Sequence, residues 1–228
     1  MRQAAPQTPL ELAARIDHTL LRADATTADI TRLCEVAAAY RFHAVCIQPW
    51  YVRHAARCLA PNGPVICTVV GFPHGTSRVK AREAEVATED GAHELDMVIA
   101  VGPLLDGAYA EVRDDITAVV RAGAPSGVKV IVESARLSAP QLDAACELSV
   151  EAGAKFVKTS TGFGPGGATC AAVARMRSQV QTRAGVKASG GIRDLETARR
   201  MIAAGADRLG TSGSTAIVDE LRRRQTSS

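Results

Sequence analysis

The chain has 228 residues, of which 46% are hydrophobic and 22% charged, the balance of a protein able to bury a full core in one large domain. Only 4% are aromatic, so that core must be aliphatic. A net charge of +3, spread evenly, excludes a nucleic-acid footprint, and the one basic cluster, Arg222 to Arg224, reads as a solvated helix end where cations suit the macrodipole.

After a short extension, IDHTLL from Ile16 is the first candidate strand. TTADITRLCEVAAAY follows as a helix with Ile30, Leu33, Val36 and Ala37 on one face. HAVCIQ from His43, VICTVVGF from Val65, HELDMVIAVG from His93, VKVIVES from Val128, AKFVKTST from Ala154, GVKASGG from Gly185 and DRLGTSG from Asp207 bring the candidate strands to eight. Between the last two strands, DLETARRMIAAG starts at an Asp cap and ends at Gly205. The junctions DGAHELD, EAGAKFV and AAGADRL repeat one Gly-Ala step, where glycine supplies a left-handed helix stop. Eight strand and helix alternations without a composition break predict an α/β chain, a parallel (β/α)8 TIM barrel in a single domain over residues 1–228. A doubly wound sheet is the alternative.

Six cysteines show no CxxC and no paired spacing, which argues against a zinc site and a disulfide framework and fits a reducing cytoplasm. No segment approaches the roughly 20 apolar residues of a membrane span, so a soluble, cytoplasmic protein with no membrane partner is expected.

In a barrel strand alternate residues face the surrounding helices, which demand apolar partners, and the others face the axis. In HELDMVIA the apolar Leu95, Met97 and Ile99 face the helices, so Glu94 and Asp96 point inward. In GVKASGG, Val186 and Ala188 face out and Lys187 and Ser189 in; in AKFVKTST, Val157 faces out and leaves Phe156, Lys158 and Ser160 inward. Asp96, Lys158 and Lys187 thus enter the interior from three strands, each in the half nearer the C-terminal end, where barrel active sites lie. A structural ion pair is the bland reading of each alone. Such a pair needs only one lysine, whereas here two face one carboxylate.

A free lysine, with a pKa of about 10.4, is almost wholly protonated at pH 7, so an amine nucleophile must be activated. A second cation and partial burial do this, which assigns Lys158 as nucleophile and Lys187 as the neighbour that lowers its pKa. Neutral Lys158 attacks a carbonyl to form an imine, an electron sink, while Asp96, directly or through a water, and Lys187 move protons. That is the arrangement of a metal-free aldolase. The five histidines show no His-x-His or His-Glu-x-x-His spacing, so neither metal nor cofactor is expected.

Strand seven ends in Ser189-Gly190-Gly191, and strand eight in Gly210-Thr211-Ser212-Gly213-Ser214 ahead of the helix STAIVDELRRR. Loops at these two places, with a helix N-terminus, form the common phosphate cradle of such barrels. A plain tight turn is the alternative for either alone. Gly162, Gly164, Gly166 and Gly167 add a flexible rim after strand six.

With IDHTLL, VCIQPWYV, GFPHG, ELDMVIAVG, KVIVESARL, KFVKTSTGFGPGGAT, VKASGGIRD and RLGTSGS in this order, the sequence resembles the deoxyribose-phosphate aldolase family over nearly its whole length. The resemblance implies a metal-free class I aldolase that reversibly cleaves 2-deoxy-D-ribose 5-phosphate to acetaldehyde and D-glyceraldehyde 3-phosphate. By the same resemblance Lys158 is the imine lysine, Lys187 the second lysine and Asp96 the acid. The phosphate site falls on Gly190, Gly191 and Ser212, with Gly162 and Arg193 beside it. A homodimer is implied in the same way, as is a role in deoxynucleotide catabolism.

Several positions depart from the family's pattern: Ala100 and Gln48 replace asparagines, Arg22 a lysine and His74 a leucine, and Gly213-Ser214 invert the usual order. These touch substrate preference more than reaction type. Asp17, His18 and Thr19 read equally as a proton relay or as the barrel floor. Cys46 is expected to line the aldehyde pocket, or else to be a small buried hydrophobe. Glu133 is expected to pair with one of the lysines. His74 and His93 read as hydrogen-bonded loop and strand-start residues, and Trp50 and Tyr51 as helix cover or a subunit contact.

Overall fold

Eight parallel strands close into a barrel in the computed structural model, which describes residues 6–226. They are β1 (Ile16–Leu20), β2 (Ala44–Ile47), β3 (Val65–Val70), β4 (Glu94–Val98), β5 (Gly127–Ile131), β6 (Phe156–Lys158), β7 (Gly185–Ser189) and β8 (Arg208–Thr211). Each pairs with the next, and β8 returns to β1 through Ile16 with Leu209 and Asp17 with Gly210, which excludes the doubly wound alternative. All eight expected strands are present. β6 is the shortest: AKFVKTST is a strand only to Lys158, and Thr159 already belongs to the loop.

The connecting helices are α1 (Pro9–Ala13), α2 (Thr27–Tyr40), α3 (Val52–Cys58), α4 (Lys80–Glu89), α5 (Val101–Leu105), α6 (Tyr109–Ala122), α7 (Ala139–Glu151), α8 (Cys170–Val180), α9 (Leu195–Ala203) and α10 (Ser214–Thr226). Their ends follow from local chemistry. The Thr26 hydroxyl accepts from the Asp29 backbone N–H while the Asp29 carboxylate accepts from that of Thr26, so the first orphan donors of α2 are satisfied. Asp194 starts α9 by accepting from the Thr197 N–H. The repeated Gly-Ala junctions place Gly91, Gly153 and Gly205 at φ of 108°, 88° and 115°, the left-handed stop that their sequence implies. Arg222 and Arg224 end α10 in ion pairs with Asp219 and Glu220.

Alternation along the strands sorts the core into two layers. Outward side chains such as Leu95, Met97, Val157, Val186 and Leu209 are fully buried against the helices in one continuous aliphatic cluster. Each such side chain contributes about 1.5–3 kcal/mol relative to exposure. Inside the barrel, Ala44, Cys46, Cys67, Val69 and Leu21 form a small separate cluster on the side of β2 and β3. The charged side chains gather in the rest of the interior, among apolar and hydroxyl residues such as Val98, Ile131 and Ser189.

Two further features frame the C-terminal mouth. Lys80, 2% exposed, crosses beneath the loop after β3 and donates to Val98 O at 3.1 Å and to Asp115 at 2.5 Å. Gly71, at φ 61°, lies against its stem, where a Cβ would come within 2.6 Å of Lys80 Cδ. Pro49–Tyr51 form a single 3-10 turn after β2, in which the Tyr51 hydroxyl donates to Ala25 O and Trp50 stands 87% exposed.

Candidate active site

Strand register sets the height at which each inward charge sits. Lys158 is the last residue of β6, whereas Asp96 and Lys187 are the third of five on β4 and β7. The expectation that all three lie near the C-terminal ends therefore holds for Lys158 only. The other two sit mid-strand, Lys187 as the direct partner of Lys158 on the adjacent strand.

Asp96 is the hub. Its Oδ2 accepts from Lys158 at 2.8 Å and from Lys187 at 2.7 Å, and its Oδ1 from Lys129 at 3.0 Å and from the Cys67 thiol at 3.2 Å. Lys187 also donates to Asp17 at 2.5 Å, Lys129 pairs with Glu94 at 2.7 Å, and Arg208 bridges Asp17 at 2.9 Å and Glu94 at 3.5 Å. The result is one connected network of three carboxylates and four basic groups.

Burial and charge oppose each other throughout this network. Burial resists ionisation of Asp96, but the three lysines around it prevail and hold its carboxyl well below the usual range. Asp17 behaves likewise under Lys187, Lys129 and Arg208. Glu94, desolvated yet approached by His43 Nε2 at 3.5 Å and faced by Lys129, falls to about 2. Burial also disfavours the ammonium groups of Lys187 and Lys129, and the carboxylates overcome it, raising both pKa values. In the resting network both lysines are cations.

Lys158 differs in having a single carboxylate partner, Asp96, and in lining a cavity. That cavity, about 390 Å³, opens at the C-terminal mouth over β6, β7, β8 and β1. Its walls include Thr19, Leu21, Arg22, Thr161, Gly162 and Phe163, with Gly190, Gly191, Arg193 and Ser212 on the side of the last two loops. Gly190 and Gly191 take φ of 86° and 78°, and a Cβ on Gly190 would meet the Gly167 Cα at 2.9 Å, so glycine is required where the two loops touch. The residues expected at the phosphate end are thus brought together around one cavity with Lys158. Arg22 joins them, its guanidinium held by Asp24 at 2.8 Å and Asp29 at 2.5 Å.

Other expected residues lie elsewhere. Cys46 does not line the cavity: it is fully buried in register with Cys67, whose thiol hydrogen bond draws the Cys46 pKa down while burial pushes Cys67 up. His18 faces outward, its Nδ1 3.0 Å from the Ser214 hydroxyl and its ring beside Phe42, so it stands apart from the network that Asp17 joins. His93 accepts from the Ile66 N–H as a strand-start residue, and His74 is exposed on the loop after β3. Gln48 donates to Leu21 O, and Ala100 leaves the first turn of α5 without a side-chain cap. Glu133 pairs with Thr161 and with none of the lysines.

Lys129 and Arg208, for which the sequence suggests no role, complete the network together with Asp17, expected as part of a relay or of the barrel floor. The same alternation marks them: Val128 and Val130 face out around Lys129, Leu209 next to Arg208, and Ile16 and His18 around Asp17. Two groups bring three potential metal-ligand atoms within 4.8 Å of one another, Cys46 with Cys67 and Asp96, and Asp17 with His43 and Glu94. In both, the carboxylate oxygens already serve lysine or arginine. A further cavity, about 740 Å³, lies between α8 and α9 at the opposite end, lined by Arg177, Gln181 and Asp207 and by none of the network's lysines.

A parallel barrel with a lysine at the mouth over a buried lysine and acid cluster defines a class of enzyme, and the comparisons with known proteins agree. The family model described as DeoC/LacD family aldolase matches residues 12–217, and the chain belongs to that family. Its relatives include the deoxyribose-phosphate aldolase of Staphylococcus carnosus, 50% identical over 214 residues that cover 93% of this chain and 97% of that one. That of a Geobacillus strain is 51% identical over 211 residues, 91% and 95% of the two chains. Among solved structures, the deoxyribose phosphate aldolase from Aeropyrum pernix, described as a tetramer, superposes with a TM-score of 0.86 at 35% identity, covering 94% of this chain and 92% of that one. The chain is an aldolase, a carbon–carbon lyase.

Proposed function

We propose that the chain cleaves 2-deoxy-D-ribose 5-phosphate reversibly to acetaldehyde and D-glyceraldehyde 3-phosphate through an imine on Lys158. The observation that carries this reading is the charge imbalance at the hub. Asp17, Glu94 and Asp96 face Lys129, Lys158, Lys187 and Arg208 in one buried network, which is neutral only when one basic group gives up its proton. An uncompensated buried charge costs several kcal/mol. Lys187 and Lys129 each contact two or more carboxylates and are held as cations, whereas Lys158 has one partner and sits at the cavity wall. Lys158 is thus the lysine of the network that a substrate in the cavity can reach.

In the cleavage direction the Lys158 amine adds to C1 of the open-chain sugar, and the carbinolamine loses water to give a protonated imine. Removal of the C3 hydroxyl proton forms the new carbonyl, the C2–C3 bond breaks, and its electron pair moves into the iminium to leave an enamine. Glyceraldehyde 3-phosphate departs. Protonation of the enamine at C2 and hydrolysis release acetaldehyde and regenerate the amine. Asp96, directly or through a water, and Lys187 exchange these protons. Backbone groups of Gly190, Gly191 and Ser212, with Gly162 and Arg193 nearby and α10 starting at Ser214, receive the phosphate.

We carry the same reading to the setting. Among the described residues no helix is long and apolar enough to cross a membrane. The setting proposed with it is a cytoplasmic homodimer acting in deoxynucleotide breakdown, with the whole chain as one catalytic domain, whereas the relative from Aeropyrum pernix is described as a tetramer. Borohydride trapping tests the chemistry: acetaldehyde and reductant should add an ethyl group to Lys158, found by peptide mass spectrometry and absent from Lys158→Ala. An unmodified Lys158 in folded protein that still binds phosphosugar would replace this reading with a non-catalytic binding barrel.

A further inference from the structure

Glu133 is the one residue in the strand ends around the mouth whose conformation, burial and bonding all depart from what a loop residue needs. It directly follows the ladder of β5, where the Val132 N–H donates to Lys158 O and the Ser134 N–H to Thr159 O, so its own backbone is skipped between two bonds to the β6 segment. There it adopts φ 52°, ψ 56°, a left-handed conformation that costs a non-glycine residue free energy and persists only when the surroundings impose it. Its side chain is 3% exposed.

The carboxylate faces no lysine. Oε2 accepts from the Thr161 hydroxyl at 2.5 Å and from the Thr161 N–H at 3.3 Å, and the Thr161 hydroxyl oxygen in turn accepts from the Phe163 N–H at 3.1 Å. Oε1 is buried without a partner. Gly164 closes over it: a Cβ there would sit 2.8 Å from Glu133 Cδ and 2.9 Å from Oε1. One carboxylate therefore fastens Thr161 and, through the Thr161 hydroxyl, the Phe163 N–H in the loop that starts directly after Lys158.

That loop divides the mouth of the barrel. Thr161 and Phe163 form the wall shared by the cavity that contains Lys158 and a neighbouring cavity of about 400 Å³ over β3 to β6. Phe163, 58% exposed, is steadied from the far side only by an edge-on contact with Phe72, ring centroids 5.4 Å apart. Among the described residues Glu133 is the polar partner that ties the Thr161 side chain to a neighbouring strand end.

We propose that Glu133 is the positioning residue for this wall and thereby sets the fit of the phosphosugar in the Lys158 cavity, an inference that rests on the reaction proposed above. It acts through Thr161 and takes no proton from substrate. The carboxylate's role is that of a double acceptor, so an amide oxygen in its place serves nearly as well.

The test measures cleavage of 2-deoxyribose 5-phosphate alongside acetaldehyde and borohydride labelling of Lys158. The proteins are the native enzyme, Glu133→Ala, Glu133→Gln, Thr161→Val and the Glu133→Ala, Thr161→Val double variant. Loss of a charge-assisted hydrogen bond should raise KM about tenfold in Glu133→Ala, with kcat within about twofold and Lys158 labelled as before. Thr161→Val, which keeps Glu133 and its backbone, should raise KM in the same direction, the double variant should add little to Glu133→Ala, and Glu133→Gln should recover most of the loss. If Glu133→Ala does not fold, Thr161→Val and Glu133→Gln carry the comparison. Additive effects, an unchanged KM, or a kcat collapse with loss of Lys158 labelling in Glu133→Ala would overturn the assignment. Failure of the native enzyme to label at Lys158 would instead sink the aldolase reading and leave Glu133 without a reaction to serve.

Discussion

The two sides of the barrel interior are built from opposite materials. On the side of β2 and β3, Ala44, Cys46, Cys67 and Val69 fill the space with small apolar and thiol groups, while from β4 round to β8 and β1 the same layers hold Asp17, Glu94, Asp96, Lys129, Lys158, Lys187 and Arg208. The apolar wall excludes water from one flank, so the charges on the other act in a low dielectric and must satisfy one another. A pair of cysteines marks the boundary, with the Cys67 thiol reaching across to Asp96. The contrast teaches that reactivity is concentrated by what the inert side withholds.

The comparison breaks most completely at the lysine of the network that lines the cavity. Lys158→Ala should lower the cleavage rate by at least about a thousandfold while the protein stays folded, since Asp96 retains Lys129 and Lys187; steady-state kinetics with circular dichroism checks both. Next comes stability. Lys129→Met extends apolar packing into the charged side and leaves Glu94 and Asp96 short of a cation, so it should cost about 3–5 kcal/mol in a denaturant titration.

A third prediction sets the inner face of β1 against its outer face. His18 has its pKa brought down to about 4 by burial, against a usual value of 6.5. Because the folded value is depressed, the neutral ring's contribution is fully present above pH 6.5 and is lost as the pH falls towards 4. Stability should drop by about 3 kcal/mol over that window and the drop should vanish in His18→Gln, measured by urea unfolding at several pH values. The smallest effect falls at the boundary. Cys67→Val keeps the volume but removes one donor to Asp96, and should lower kcat by about three- to tenfold with stability changed by about 1 kcal/mol.

How much of this was legible in the sequence depends on which physical quantity a residue pattern encodes. Alternation against apolar neighbours encodes facing, and it placed Asp96, Lys158 and Lys187 inside. It does not encode height, which comes from the stagger between strands. Lys158 ends β6, which stops after three residues, while its direct partner Lys187 is the third of five on β7. The same alternation in IDHTLL, VKVIVES and DRLGTSG points Asp17, Lys129 and Arg208 inward, yet only the closed register shows that they meet Glu94 and Asp96. The glycine loops were readable as a cradle because φ above zero has a residue signature. Glu133 was not, since its left-handed backbone is imposed by tertiary contacts on a residue type that does not announce it, and facing alone suggested a lysine partner. Cys46 failed for the matching reason: inward facing did not distinguish the cavity wall from the packed layer beneath it.

Trp50, the single tryptophan of the chain, stands on the 3-10 turn after β2 with 87% of its surface exposed. Its intrinsic fluorescence should already resemble that of a solvated indole in the native state, so the red shift that usually accompanies unfolding has little room to develop. Emission from this chain is instead a reporter of whatever approaches that corner of the mouth, and loss of the barrel itself is better followed by far-ultraviolet dichroism.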